Sequence, residues 1–324
     1  MRTEHKKSPW ILLLPALCMM LCLLSGCAKE KPEENGVIHI VATVFPEYDW
    51  VREITKGNTD TVKVDLLLDN GVDLHSYQPS ADDILLIQNS DVFIYVGGES
   101  DEWVSDVLER EENHDRTEIS LMKVLEGYLY EEEHKEGMQE EEEKEHAYDE
   151  HVWLSLKNSI LCVEEIAKEI AEKDPEHADL YKRNADNYIN ELKELDKKYE
   201  EAVNASGRKV ILFGDRFPFR YLCEDYGLDY YAAFMGCSAE SEASFETVLF
   251  LVNKMDELGL NSISQLESAD GSLCNTILSN SKNPNRPVLT WNSIQSVTGS
   301  DISAGSTYLS IMSENLEVLK EALK

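Results

Sequence analysis

Residues 175–204 read PEHADLYKRNADNYINELKELDKKYEEAVN and set Leu180, Tyr181, Tyr188, Leu192, Leu195 and Tyr199 at three- and four-residue steps. That spacing predicts one amphipathic helix of about thirty residues, roughly 45 Å at 1.5 Å per residue. Asp174-Pro175 opens it, with proline at the first helical position, where its missing N–H is not needed. The preceding SLKNSILCVEEIAKEIAEKD is helical as well, with Ile160, Val163, Ile166, Ala167 and Ile170 at core spacing. A single stretch of this length suits a domain-spanning helix better than a coiled coil. It divides the chain into two parts that must each find a fold of their own.

Both parts alternate strand and helix. Ahead of the helical region, VIHIVATVFP is a strand and EYDWVREITKG a helix ending at Gly57. TVKVDLLLDNG is a strand closed by Asn-Gly, SADDILLIQNS a short helix capped by Ser80, DVFIYVGG a buried strand and EWVSDVLERE a helix. After NASGRK come the strands KVILFGD, LDYYAAFMG, LNSISQLE and PVLTWNS, separated by helical segments and closed by TYLSIMSENLEVLKEALK. The expected fold class is α/β: two lobes, each a mainly parallel four-stranded sheet flanked by helices, joined by one long interlobe helix. The expected boundaries are 37–156, 157–205 and 206–324. Ligands of such sheets sit beyond the carboxyl ends of the strands.

The first 27 residues predict a targeting segment. Arg2, His5, Lys6 and Lys7 precede the apolar run WILLLPALCMMLCLL, which is short for a membrane span, and LSGC follows. Small residues before a cysteine at that edge read as a lipoprotein signal, cleaved before Cys27 with lipid on its sulfur. Residues 28–36 are then a flexible tether. Four cysteines lie beyond the leader: Cys162, Cys223, Cys237 and Cys274. None forms a CxxC, so a thiolate zinc cluster is not expected; buried packing or one disulfide are the open readings.

The formal net charge is −33, from 63 acidic against 30 basic residues. Such a surface repels phosphate backbones, so no nucleic acid is expected as partner, and it suits cations. Much of the charge is local: 131–150 carries eleven Asp or Glu with His134 and His146. This acidic loop is expected to stay hydrated and unpacked. It ends at once in His151 and the apolar Val152, Trp153 and Leu154.

Four residues at strand ends or in loops could hold a metal: His75 in DNGVDLHSYQP, His151 in DEHVWL, Asp215 ending KVILFGD and Glu267 ending SISQLE. Imidazole nitrogen and carboxylate oxygen are donors for a borderline or hard divalent cation. No His-Glu-x-x-His, Gly-x-Ser-x-Gly or phosphate-cradling glycine loop occurs, so a metallohydrolase is the weaker reading and the chain is expected not to be an enzyme.

The stretches GVDLHSYQPSADDI, DVFIYVGGESDEWV, DEHVWLSLKNSI, DPEHADLYKRNADNY and SAESEASFETV occur in this order. Over essentially the whole mature chain this resembles the metal-binding solute-binding proteins of bacterial ABC importers, the zinc/manganese group. The resemblance implies two lobes with a metal between them, a rigid connecting helix, a monomer and delivery to an ABC permease from the bilayer-anchored outer face. It places His75 and His151 on two metal ligands of the first lobe. A surface adhesin on the same fold is an alternative role. The family's third ligand, a histidine or glutamate, falls on Arg216, which cannot bind a cation; Asp215 beside it is the expected substitute. The fourth falls in LTWNSIQ, which has no carboxylate, leaving Glu267, Asn292 or water. Zinc (Zn2+) is the expected cargo, with manganese or iron as the alternative.

Overall fold

A computed structural model describes residues 36–109, 115–139, 147–238 and 242–324. The leader, Cys27 and most of the tether lie outside them, as does His146. Residues 38–324 form one compact unit.

Among the described residues, eight strands make two sheets. In the first lobe these are β1 (Ile38–Ala42), β2 (Val62–Leu66), β3 (Val92–Tyr95) and β4 (Thr117–Ser120), in the order β2-β1-β3-β4. In the second they are β5 (Val210–Phe217), β6 (Asp229–Met235), β7 (Ile263–Leu266) and β8 (Val288–Trp291), in the order β6-β5-β7-β8. Every pairing between these strands is parallel. Both sheets therefore reverse direction of winding beside their first strand, and a crevice opens at such a switch point.

The helices of the first lobe are α1 (Phe45–Ile54), α2 (Ala81–Gln88), α3 (Glu102–Leu108) and the single turn α4 (Leu121–Val124). The linker holds α5 (Leu156–Lys173) and α6 (Ala178–Ala205), and the second lobe α7 (Arg220–Tyr226), α8 (Phe245–Glu257), α9 (Ser272–Ser279), α10 (Gly299–Ser303) and α11 (Tyr308–Ala322). The long helix α6 has 28 residues, about 42 Å. It starts three residues later than the proline suggests. Asp174 explains the delay: its carboxylate accepts the Tyr181 hydroxyl at 2.5 Å and lies 2.8 Å from His177 Nδ1, which holds 175–177 as a turn.

Tyr181, Ala185, Tyr188, Ile189, Leu192, Leu195, Tyr199 and Val203 line the buried face of α6. They pack on α5, α1, α7 and α11, elements drawn from both lobes. One apolar cluster consequently runs from β1 and β3 through the long helix to Phe213, Phe217 and Trp291. The far side of the second sheet has a smaller cluster around Leu212, Leu251, Met255 and Ile277. The last helix closes on the first lobe by polar ties too. Tyr308 donates its N–H to Asp49 Oδ2 (2.8 Å) and its hydroxyl to the Trp153 carbonyl (2.6 Å).

The acidic loop departs from expectation over 131–139, which pack against the second lobe, and at Asp149 and Glu150, which are buried beside His151. Gln139 donates its N–H to the Ala233 carbonyl on β6 (2.8 Å), and its side-chain oxygen accepts from Ser244 N (2.7 Å). Met138 is buried, Gly137 lies flat against the Phe250 ring, Glu133 pairs with Arg220 at 3.1 Å and Lys135 pairs with Asp229. The few non-acidic residues supply the apolar packing, Glu133 and Lys135 find opposite charges across the contact, and Glu132 accepts the Cys237 N–H. Glu140–His146 lie outside the described residues.

Candidate metal centre

His75 is fixed by a short 3-10 turn, Leu74–Ser76, that follows β2. Asp73 caps this turn: its Oδ1 accepts the His75 N–H at 3.0 Å. The His75 ring places Nδ1 2.8 Å from Ser100 Oγ. Ser100 is held in turn, its N–H donating to Glu150 Oε1 at 2.9 Å. Gly98 makes room for this, because a Cβ there would lie 2.3 Å from Glu150 Cγ.

His151 caps a second 3-10 turn, Val152–Leu154, and is fully buried. Asp149 Oδ1 accepts the His151 N–H at 2.8 Å and lies 2.8 Å from ring Nδ1. That contact assigns the imidazole proton to Nδ1 and leaves the Nε2 lone pair for a ligand. The two Nε2 atoms, of His75 and His151, are 3.2 Å apart. A tetrahedral zinc with its usual bond lengths separates two imidazole nitrogens by about 3.3 Å. The rings are thus already spaced for one shared cation.

Carboxylates crowd this pair. Burial by itself depresses the His151 imidazole, but Asp149, Glu132 and Glu150 outweigh it and hold the ring above its ordinary value. Burial, reinforced by the Asp149 charge, pushes Glu132 up to about 7. Burial also raises Glu150. Asp149 Oδ2 is buried without a hydrogen-bond partner. Together these groups make the site a place for positive charge.

The other two expected ligands are held elsewhere. Asp215 sits at a one-residue register shift in β5, where Phe213 pairs with Ala232 but Arg216 pairs with Phe234. The shift directs its carboxylate into the sheet: Oδ1 accepts Arg216 N at 2.8 Å and Oδ2 accepts Leu266 N at 2.9 Å. Glu267 accepts the Ser293 N–H (3.0 Å) and hydroxyl (2.7 Å). Asn292 caps the same loop, its Oδ1 accepting Ile294 N at 2.8 Å. Arg216 reaches across the cleft to Asp73 Oδ2 at 2.6 Å, two residues from His75.

Among the described residues, a different side chain joins the histidines. One ligand atom each of His75, His151 and Cys237 lie within 4.8 Å of one another, and so do those of Glu132, Asp149 and Cys237. Cys237 follows β6 and is half-buried; the other three described cysteines, Cys162, Cys223 and Cys274, are buried, and these four are free thiols. Sequence reasoning discounted Cys237 because no second cysteine stands near it. Its position just past the carboxyl end of LDYYAAFM was the available signal.

The chain matches, over residues 40–322, a family model described as ZnuA, zinc-uptake complex component A, periplasmic. It is 32% identical over 314 residues to the zinc-binding lipoprotein AdcA of Streptococcus pneumoniae, covering 96% of this chain and 60% of that protein. The chain thus spans about 60% of the length of that relative. It is 29% identical over 318 residues to the high-affinity zinc uptake system protein ZnuA of Bacillus subtilis, covering 96% of this chain and 97% of that protein. The solved zinc-bound ZnuA-like domain of Streptococcus pneumoniae AdcA resembles it with a TM-score of 0.70 at 28% identity, over 89% of this chain and 99% of that domain.

Proposed function

Because this chain belongs to the ZnuA family of zinc-uptake components, we propose that it captures zinc outside the cytoplasm and hands it to an ABC permease for import. The observation that carries the reading is the facing pair of imidazole nitrogens, 3.2 Å apart, each ring oriented through its other nitrogen. Zinc is the cargo rather than a resident cofactor. Neutral imidazoles suit it better than manganese in affinity order. The surrounding carboxylates offset the ion's charge, and His75 and His151 are the ligands from the first lobe. The role is capture and release, not turnover. Cys27 carries the lipid that keeps the monomeric protein at the membrane surface beside the permease.

Titration of the purified, chelator-stripped protein with zinc and with manganese tests this. Zinc is expected to bind tightly at one site, and His75→Ala or His151→Ala each to weaken it by about 100-fold or more. If both variants keep wild-type affinity, the site is wrong. If manganese binds more tightly than zinc, the cargo is wrong and the importer reading stands.

A further inference from the structure

We propose that Cys237 is the third protein ligand, so that the cargo is held by two imidazole nitrogens and one thiolate. The proposal rests on the metal-capture reading above and adds to it the identity of the donor from the second lobe.

The geometry begins with Arg216. It occupies the position where the resemblance puts a ligand, and a guanidinium cannot serve. Its Nη2 instead pairs with Asp73 Oδ2 at 2.6 Å, and its Nη1 donates to the Ser238 carbonyl at 3.4 Å. Asp73 caps the turn that carries His75, and Ser238 directly follows Cys237. One side chain therefore staples the two loops together across the cleft. The residue that removes the usual donor also draws in another one.

Two further features hold the thiol there. Gly236 permits the close approach: a Cβ at that position would lie 2.9 Å from the Phe217 carbonyl oxygen and 3.3 Å from His151 Cε1. Glu132 Oε1 accepts the Cys237 N–H at 3.1 Å, anchoring the loop from the other side. The sulfur lies within 4.8 Å of a ring nitrogen of each histidine. Tetrahedral zinc, with bonds of about 2.0 Å to nitrogen and 2.3 Å to sulfur, asks for about 3.5 Å. A side-chain rotation or a small inward movement of one loop supplies the difference. Asp215 and Glu267, the second-lobe carboxylates expected from the sequence, are already engaged with Leu266, Arg216 and Ser293.

On binding, the sulfur–hydrogen bond breaks, the sulfur lone pair forms the bond to zinc, and the proton leaves to solvent. The resulting nitrogen-nitrogen-sulfur donor set is soft, and it discriminates against manganese more strongly than a carboxylate would.

Cobalt(II) is the probe. The cobalt-loaded protein is expected to show a thiolate-to-metal charge-transfer band in the near ultraviolet, lost in Cys237→Ser. That variant is also expected to bind zinc at least about tenfold more weakly, with manganese affinity unchanged. A measurement on the unaltered protein guards against misfolding of the variant: zinc should protect Cys237 from alkylation, read by mass spectrometry. A wild-type cobalt spectrum without the band, or alkylation of Cys237 unaffected by saturating zinc, overturns the thiolate. Tight zinc binding that still depends on His75 and His151 would then leave the capture reading intact. Tight binding without that histidine dependence would overturn the site, and absence of tight zinc binding would overturn the capture reading itself.

Discussion

Asp149 decides how His151 behaves, because one carboxylate oxygen meets both the backbone N–H and ring Nδ1. Zinc and the proton compete for the imidazole. With His151 held above its ordinary value by its carboxylate neighbours, affinity should begin to fall at a higher pH than for an isolated histidine. Asp149→Asn should weaken zinc by about 10- to 100-fold and move the pH dependence downward. Chelator competition from pH 5 to 8 reads both; an unchanged pH profile would remove Asp149 from this role. The loops of His75 and His151 were legible through the resemblance of the words around them, GVDLHSYQP and DEHVWL, and the structure brings the two rings together. The nearness of Cys237 to them was not. Which residue reaches the cleft depends on a one-residue shift in β5 and on where Arg216 finds a carboxylate, and neither is a local property of the chain.

The acidic loop shows the same limit at the scale of an element. Composition gives the average tendency of 131–150, and that average is solvation. Packing of 131–139 comes from three residues in a row, Gly137, Met138 and Gln139, meeting β6 and the Phe250 ring. Gly137 has φ +86° and no space for a Cβ, which would sit 1.9 Å from Phe250 Cδ1. Gly137→Ala should therefore loosen the segment by about 1–2 kcal/mol. Hydrogen exchange of 131–139 should quicken while the α6 amides stay protected; equal exchange in both proteins would mean that the contact contributes nothing. The long helix was read well because its 3.6-residue period persists through 28 residues. The four residues of β4 carry one buried apolar side chain, Ile119, too little for any periodicity.

At the scale of the whole molecule, the two sheets share one main interior, and the far side of the second has a smaller cluster of its own. The main apolar cluster includes side chains of β1, α1, α5, α6, β5, β8 and α11. Calorimetry should accordingly record one cooperative transition for residues 38–324, with equal calorimetric and van't Hoff enthalpies. Saturation at 100 times the dissociation constant should add about 2.7 kcal/mol of stability. Two resolved transitions would mean that the lobes unfold independently. The shared interior also favours small displacements of the cleft over a wide hinge.

The tie between Tyr308 and the first lobe has a temporal consequence. Asp49 and Trp153 receive their partners from a residue made 259 and 155 positions later. Both of these buried bonds stay unmade while the end of the chain is still being synthesised. Contacts of such sequence separation delay folding. In a chain exported before it folds, contacts made this late would lengthen the time for which it can still be threaded.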